Sequence, residues 1–403
     1  MLTFSAARDL VIAQASRHFA SHPAISLPVS DALGHILAEE IRTDREYPPF
    51  NRSTRDGYAV HSAEAAAGRS LRCVGEIKAG DCVLERLVPG TCIQIMTGAA
   101  LPPGSDAVVM IEFTRRDGDI VSFERATQAG QNFVPQGSEA HAGDVALSPG
   151  LRLGFAELAV AAQVGHSTLR CHRKPRVAIL STGDEVVPIT DIPGPFHIRN
   201  SNSVSLAAQV QLAGGEPAPL GNALDRVDDL SAKIEVGLRE DILVLSGGVS
   251  MGKYDLVESV LKGMGAEFFF DAVAIRPGKP AVFGRCGDRL VFGLPGNPVS
   301  TMVTFQLFVV PAIDILSGAQ PRALPLLEAT LGEPVKEKPG LTHFLPAQLT
   351  WHSSRAHVRV LRWQGSGDIS AVIQANCFVV VPADRHDIQA GETVSVLSRS
   401  DVL

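Results

Sequence analysis

A chain of 403 residues, 45% hydrophobic and 20% charged, has room for roughly two to three domains and is too apolar to be wholly disordered. Its 36 Lys and Arg stand against 43 Asp and Glu, and the net charge of −7 excludes a global basic field of the kind that drives nonspecific nucleic-acid or membrane binding. A small, locally positive anion pocket stays allowed. The six cysteines form no CxxC pair and read as buried thiols in a reducing compartment, which predicts a cytoplasmic protein. Arg8 and Asp9 lie within the first ten residues with no apolar run after them, so no signal peptide is expected. The longest apolar stretch, 302–316, is interrupted by Gln306, Pro311 and Asp314 and is expected to be too short to span a bilayer.

Taken in chain order, residues 1 to about 45 carry helix-compatible spacing at Leu10, Val11 and Ala13, and again at Ala32, Leu33, Ile36 and Leu37, with Ser30 or Asp31 as N-cap. Tyr47-Pro48-Pro49-Phe50 stops any helix there. Short β-rich segments follow at 71–77, 91–96, 107–113 and 120–123, the last two flanking Arg115-Arg116-Asp117-Gly118 as a hairpin turn. A helical pattern returns at 155–164. The pattern predicts a helical domain over 1–48 and 143–174, interrupted by a β-rich domain over 49–142.

From 176 the texture alternates. Continuous apolar runs at 177–180, 242–245 and 290–292 suit strands buried on both faces, and helical stretches at 203–212, 227–236 and 255–264 separate them. This predicts a doubly wound, mostly parallel α/β domain over 175–320. Strand-rich sequence at 357–363, 377–381 and 393–397 then reads as a C-terminal β-barrel over 321–403, with a sandwich as the alternative.

In an open α/β sheet, ligands bind beyond the carboxyl ends of the strands, so the loops there carry the chemistry. Ser181-Thr182-Gly183-Asp184-Glu185 follows the first run, and Ser246-Gly247-Gly248-Val249-Ser250-Met251-Gly252 follows the second. Gly293-Leu294-Pro295-Gly296-Asn297-Pro298 follows the third. Glycines let backbone N–H groups approach a ligand, and a following helix N-terminus suits an anion such as phosphate. In the third loop Asn297 is placed to N-cap, Pro298 suits the first helical position, and Gly318 closes the helix. Any one of these loops reads equally as a tight turn; three at one sheet edge point to a site. Residues 247–253 satisfy GxxxxGK, but Tyr254 stands where a P-loop needs Ser or Thr to hold magnesium, which argues against P-loop ATP hydrolysis.

Glu185, Asp225 and Asp255 each lie just beyond a strand or at a helix start and are candidate magnesium ligands, although each alone is also a natural helix cap. Asp56, in Arg55-Asp56-Gly57-Tyr58, is an acid in a Gly-containing loop that also suits an Asx-turn. Ile275-Arg276-Pro277-Gly278-Lys279-Pro280 sets two fixed charges in a proline-stiffened loop, an arrangement for an oxyanion or a solvated surface turn. The twelve histidines form no HExxH, and no GxSxG elbow is present, so neither a His-based zinc centre nor a Ser-His-Asp hydrolase is expected.

The strings NRSTRDGYAV (51–60), IMTGA (95–99), STGDE (181–185), SGGVSMG (246–252), RPGKP (276–280) and GLPGNPVS (293–300) resemble the MoeA-type molybdopterin molybdotransferase family, related to the C-terminal domain of gephyrin. The resemblance implies four domains per chain in an elongated homodimer, with the sheet domain of one subunit facing the β module of the other. It implies magnesium-dependent insertion of molybdate into adenylylated molybdopterin, releasing AMP, with a molybdopterin adenylyltransferase acting upstream. On this reading Asp225, Asp255 and Glu185 hold magnesium. Thr182, Gly183 and Asp184, then Ser246, Gly247, Gly248 and Ser250, then Pro295, Gly296, Asn297 and Pro298 contact the pterin substrate. Arg276, Lys279, Ser300 and Ser366 hold molybdate, and Asp56 and Thr97 complete the site across the dimer interface. No nucleic-acid or membrane partner is expected.

The chain departs from the family pattern at four places. Val134 stands where many relatives carry an arginine, Glu139 where they carry an aspartate, and Pro346 where an arginine lies near molybdate. Arg276 replaces the first lysine of the cationic loop. Two other readings remain open at this point. One is a pterin-binding scaffold without turnover, and the other is a nucleotide pyrophosphatase of the competence-damage-inducible type, which shares the sheet domain.

Overall fold

The computed structural model describes residues 1–18, 23–82, 85–248, 256–385, 387–399 and 401–402. The chain opens with helix α1 (Phe4–His18), whose Ala7, Val11 and Ala15 recur at four-residue spacing and are fully buried. They enter the same core as the α/β sheet described below.

The second helix expected around Ala32 to Leu37 does not form. A 3-10 turn at Val29–Asp31 is followed by Gly34 at φ 77° and a short strand, Ile36–Leu37. Neither Ser30 nor Asp31 caps it; Ser30 Oγ donates to Asp31 Oδ1 at 2.9 Å. The strand pairs with Thr168–His172, which also pairs with Ala24–Pro28, so long-range ladder bonds override the local helical spacing. Leu37 and Ile41 share a core with Leu153, Ala161, Leu169 and Cys171, joining the segments before and after the β module. Helix α2 (Phe155–Gln163) forms as expected.

Between those segments lies a six-stranded sheet in the order Ala107–Met110, Gly57–Val60, Thr91–Ile95, Ser70–Ile77, Ile120–Phe123, Thr114–Asp117. The expected hairpin between 107–113 and 120–123 does not form: Ala107–Met110 pairs with Gly57–Val60, and Arg115, Arg116 and Asp117, expected in the turn, lie in strand Thr114–Asp117, which pairs with Ile120–Phe123 around Gly118. The expected strand 107–113 stops at Met110 and ends in a 3-10 turn, Ile111–Phe113.

The α/β unit contains strands β1 (Arg176–Thr182), β2 (Glu216–Ala223), β3 (Ile242–Ser246), β4 (Ala266–Phe270), β5 (Val282–Cys286) and β6 (Arg289–Leu294). Their order is β2-β1-β3-β6-β5-β4. The β2-β1-β3-β6 part is parallel, and β5 and β4 extend it antiparallel. Helices α3 (Ser201–Ala213), α4 (Val227–Gly237) and α5 (Leu256–Gly263) alternate with the strands. Val177, Ile179 and Val244 face one core while Ala178, Leu180 and Leu245 face another, as a sheet covered on both sides requires.

After β6 the chain runs continuously through α6 (Pro298–Thr304), a π-helical stretch Phe305–Val309 and α7 (Val310–Leu316). These 19 residues reach the length and apolarity of a membrane span, which the shorter sequence run did not, and 83% of the span is buried inside the protein. The π turn lies just before Pro311, where the missing N–H and the ring prevent regular α-helical bonding. Asp314 on α7 is fully buried and accepts from Arg152 Nη2 at 2.9 Å and Arg322 Nε at 2.9 Å, tying the segment before α2 and the linker after α7 to this core.

The C-terminal region closes a barrel. Strand Thr342–His352 pairs with both Arg355–Val360 and Cys377–Val381, and Leu326–Leu331 and Thr393–Ser398 complete the ring. The expected strand 357–363 starts at Arg355 and ends at Val360. A short helix α8 (Ile369–Gln374) crosses from the barrel toward α6.

Candidate active site at the carboxyl edge of the sheet

Strands β1, β2, β3 and β6 end side by side, with Ser246 registered opposite both Ser181 and Leu294, and Thr182 opposite Ala223. The three glycine-containing loops therefore leave the sheet at one edge, as the sequence suggested. Gly247 N–H donates to Leu294 O at 3.1 Å, and Gly183 N–H to Ala223 O at 3.2 Å. Gly248 sits at φ 64°, and a Cβ there would lie 2.7 Å from both Thr182 Oγ1 and Val257 Cγ2. Only glycine fits that turn without displacing its neighbours.

Thr182 is 3% exposed, and its Oγ1 has no hydrogen-bond partner among the described residues. A buried, unpaired hydroxyl carries a desolvation cost of about 1–3 kcal/mol, which a ligand oxygen can relieve. Ser250 and Asp255, further along the second loop, lie outside the described residues.

Three asparagines that the motif reading did not select organise the edge. Asn202 Nδ2 donates to Ser246 Oγ at 2.8 Å and to Gly296 O at 2.7 Å, linking the second and third loops. Asn200 N-caps α3, accepting from Ser203 N–H at 3.0 Å and from Ser181 Oγ at 2.9 Å. Asn222 Nδ2 donates to Gly183 O at 2.9 Å and braces the first loop. The signal in the sequence was Asn200-Ser201-Asn202, a polar triplet before the periodic residues of α3.

The third loop behaves differently from its expected cap. Asn297 occupies the N-cap position of α6 and Pro298 the first turn, but the Asn297 side chain makes no capping bond. Its Nδ2 donates instead to Ser366 Oγ at 2.9 Å, and Ser366 O accepts from Val299 N–H at 3.0 Å. Thr301 Oγ1 donates to Pro295 O and so closes the turn from within α6. Ser366 and Ser300, the latter 4% exposed, thus flank one helix start.

Asp225 N–H donates to Asp184 Oδ1 at 3.0 Å. Partial burial, then the negative charges of Asp184 and Glu185, raise the Asp225 carboxyl above its usual range. Glu185 folds back over Gly183, within 2.5 Å of where a Cβ would stand. Among the described residues no group of three His, Cys, Asp or Glu side chains is arranged to hold a metal.

The cationic loop is anchored rather than free. Gly278 is buried at φ 106°, where a Cβ would lie 2.5 Å from Thr304 Cγ2, so the loop presses on α6. Val273 N–H donates to Lys279 O at 2.9 Å, and the Lys279 side chain is exposed. Arg276 and Lys279 therefore stand on a fixed frame beside the helix that carries Ser300.

Asp56 and Thr97 meet each other in the β module: Thr97 N–H and Oγ1 donate to Asp56 Oδ1 at 2.7 and 2.8 Å. These two bonds, the backbone one first, lower the Asp56 carboxyl below its usual range. No hydrogen bond or ion pair among the described residues joins either residue to the sheet edge. Val134 pairs in register with Arg52, whose Nη2 also contacts Glu139 Oε1 at 3.2 Å. Pro346 is buried within strand Thr342–His352, so no charge stands at that position.

Residues 2–165 match the family model for the MoeA N-terminal region (domain I and II), 178–314 that for a probable molybdopterin binding domain, and 328–398 that for the MoeA C-terminal region (domain IV). The molybdopterin molybdenumtransferase of Bacillus subtilis (strain 168) is 34% identical over 380 residues, covering 92% of this chain and 88% of the relative. The chain belongs to the molybdopterin molybdenumtransferase family. Its counterpart in Staphylococcus aureus (strain Mu50) is 33% identical over 392 residues, 94% of this chain and 93% of that one. The crystal structure of the molybdopterin biosynthesis MoeA protein from Pyrococcus horikoshii OT3 superposes with a TM-score of 0.84 at 26% identity, covering 99% of this chain and 100% of that one. The family match includes the β module and the barrel, neither of which an isolated pyrophosphatase sheet domain would need.

Proposed function

We propose that the chain inserts molybdate into adenylylated molybdopterin and releases AMP, as a transferase of molybdenum cofactor biosynthesis. The observation that carries this reading is the convergence of three glycine loops on one sheet edge around the unpaired, buried Thr182 hydroxyl. Loop N–H groups and the start of α6 suit the pyrophosphate, and Asn202 holds two of the loops at a fixed separation. Arg276 and Lys279, with Ser300 and Ser366, hold molybdate beside the pterin dithiolene. The two dithiolene thiols then replace one oxo ligand of molybdate, and that oxygen leaves as water with the two thiol protons, with no change in the oxidation state of the metal.

Magnesium fits the donor set. Asp225 and Glu185 are hard oxygen donors, and the Asp225 carboxyl, raised first by burial and then by the neighbouring charges of Asp184 and Glu185, stands where a divalent cation would favour its ionised form. Magnesium keeps waters and uses substrate phosphates, so few carboxylates suffice; Asp255 is the third residue of this set. When bound, the ion neutralises charge on the pyrophosphate. Asp56 and Thr97, which make no bond to the sheet edge in one chain, act on the site of a second copy in a homodimer. A molybdopterin adenylyltransferase supplies the substrate, and the six unpaired thiols accord with a cytoplasmic setting.

The test is to incubate purified protein with adenylylated molybdopterin, magnesium and molybdate, following AMP and active cofactor together. Molybdate-dependent formation of both is expected. AMP released without molybdate dependence would indicate a pyrophosphatase, and binding without AMP a scaffold.

A further inference from the structure

Arg276, the first cation of the oxyanion loop, already has an internal anion. Its Nη1 lies 3.7 Å from Glu337 Oε2, and the same oxygen lies 3.0 Å from His343 Nδ1. Strand Ile275–Arg276 runs parallel to Thr342–His352 with Arg276 registered against His343, so the two residues are held at one level by backbone bonds, with the Glu337 carboxylate in reach of both. His343 is 1% exposed, and its Nε2 faces Lys338 O at 3.1 Å. A carbonyl only accepts, so Nε2 carries a proton, while Nδ1 lies near Glu337 without a hydrogen bond to it. Arg276 approaches Glu337 from the solvent side with its side chain 56% exposed.

We infer that Glu337 is a built-in competitor for Arg276, a positioning residue that occupies the guanidinium until a doubly charged oxyanion displaces it. The inference rests on the reading of the 276–280 loop as the oxyanion site. A long, half-exposed ion pair is weak, so it yields to a tetrahedral dianion that brings two charges and a bidentate fit. A singly charged tetrahedral anion gains less from the same guanidinium and displaces Glu337 poorly. Any anion that takes the guanidinium meets the same cost of parting the pair, so the pair holds down the affinity of the loop for monoanion and dianion by one common factor, and only the dianion binds strongly enough to load it. Nothing in the six family strings marks Glu337, which lies in the barrel about sixty residues after Arg276 and reaches it only through strand pairing.

Calorimetric titration of the full-length chain with molybdate, and separately with perrhenate as a monoanion of the same shape, tests this. Glu337→Gln should tighten molybdate and perrhenate binding alike, by about 1.5- to fivefold, the range one exposed ion pair carries. The same change in an Arg276→Ala background should alter neither. His343→Gln, which leaves both Glu337 and Arg276 charged, serves as the control for a merely structural effect and should leave both affinities as in the parent. If Arg276→Ala weakens molybdate binding while Glu337→Gln leaves the affinity for both anions unchanged, the competitor is overturned and the loop reading stands. If parent and Arg276→Ala bind molybdate alike, or neither binds it, the loop reading fails and takes the competitor with it.

Discussion

Asn297 Nδ2 donates to Ser366 Oγ at 2.9 Å, so a residue of the C-terminal region takes hold of the loop that starts α6. Asn297 gives up its expected capping role for this bond, and Ser366 O accepts the Val299 N–H as well. The contact makes the barrel a structural part of the sheet-edge site. Ser366→Ala removes one exposed neutral bond, worth about 0.5–1.5 kcal/mol at most. Molybdate-dependent turnover should fall about tenfold, chiefly through KM for molybdate, while the melting temperature moves little. Unchanged KM would remove Ser366 from the site.

Thr182 offers a separation of stability from binding. Thr182→Val keeps the shape of the side chain and deletes a buried hydroxyl that has no partner among the described residues. Folding stability should stay level or rise by up to about 1 kcal/mol, because an unsatisfied polar group has been removed. Affinity for adenylylated molybdopterin should drop about tenfold if a substrate oxygen meets that hydroxyl. Urea denaturation and a binding titration read the two effects independently. Gly248→Ala should lose on both counts, by about 1–3 kcal/mol in stability, since its Cβ meets Thr182 and Val257 at a left-handed φ.

How far this site was legible in the sequence depends on how local each contact is. The runs 177–180, 242–245 and 290–292 and the glycines after them announce strand ends within a few residues, and all three formed where expected. Ile36 and Leu37 carried helical spacing but became a strand, because their partners Cys171 and His172 arrive more than 130 residues later. Asn297 with Ser366 and Arg276 with Glu337 are likewise non-local. Each side chain has an obvious local role, a cap or an anion ligand, until a distant strand or loop supplies a partner. Asn202 was hidden for a different reason: a polar residue in the first turn of a helix looks like a cap, and its loop-bridging bonds appear only once two strand ends are side by side.

The raised Asp225 carboxyl makes a prediction with a definite sign. A carboxyl whose folded pKa exceeds its unfolded value binds more protons when folded between those two values, so stability falls as pH rises through that interval and is level above it. Asp225 lies above its ordinary value of 3.8, through burial first and then through Asp184 and Glu185. Without magnesium, Asp225→Asn should therefore gain stability over the parent as pH rises from about that ordinary value, and keep the gain at neutral pH. Added magnesium should reverse the order, because the ion favours the ionised carboxylate and has lost one ligand in the variant. Thermal melts across acid to neutral pH, with and without magnesium, follow both effects. A parent chain whose melting temperature ignores magnesium at neutral pH in the presence of substrate would count against Asp225 as a ligand.

Asp56 and Thr97 test whether the site is shared between two copies. Within one chain they bond to each other, and neither bonds to the sheet edge, whereas Lys279 sits on the loop beside α6. Asp56→Ala and Lys279→Ala should each be inactive as pure proteins. If Asp56 serves the partner's sheet edge, a mixed dimer holds one site with both defects and one site with neither. Random reassortment of equal amounts puts half the dimers in the mixed form, so activity should return to about a quarter of the parent's per chain. If Asp56 instead served the sheet edge of its own chain, every site in a mixed dimer would carry one defect, and activity would stay near zero. Reassortment by mild denaturation and refolding, followed by the molybdate-dependent AMP assay, distinguishes the two arrangements, and a double variant carrying both changes in one chain supplies the contrast. Mixed with the parent chain, that double variant should leave one intact site per mixed dimer only when the two residues belong to the same site in one chain; in the shared arrangement each mixed dimer holds two half-defective sites, and the parent's own homodimers alone account for the activity.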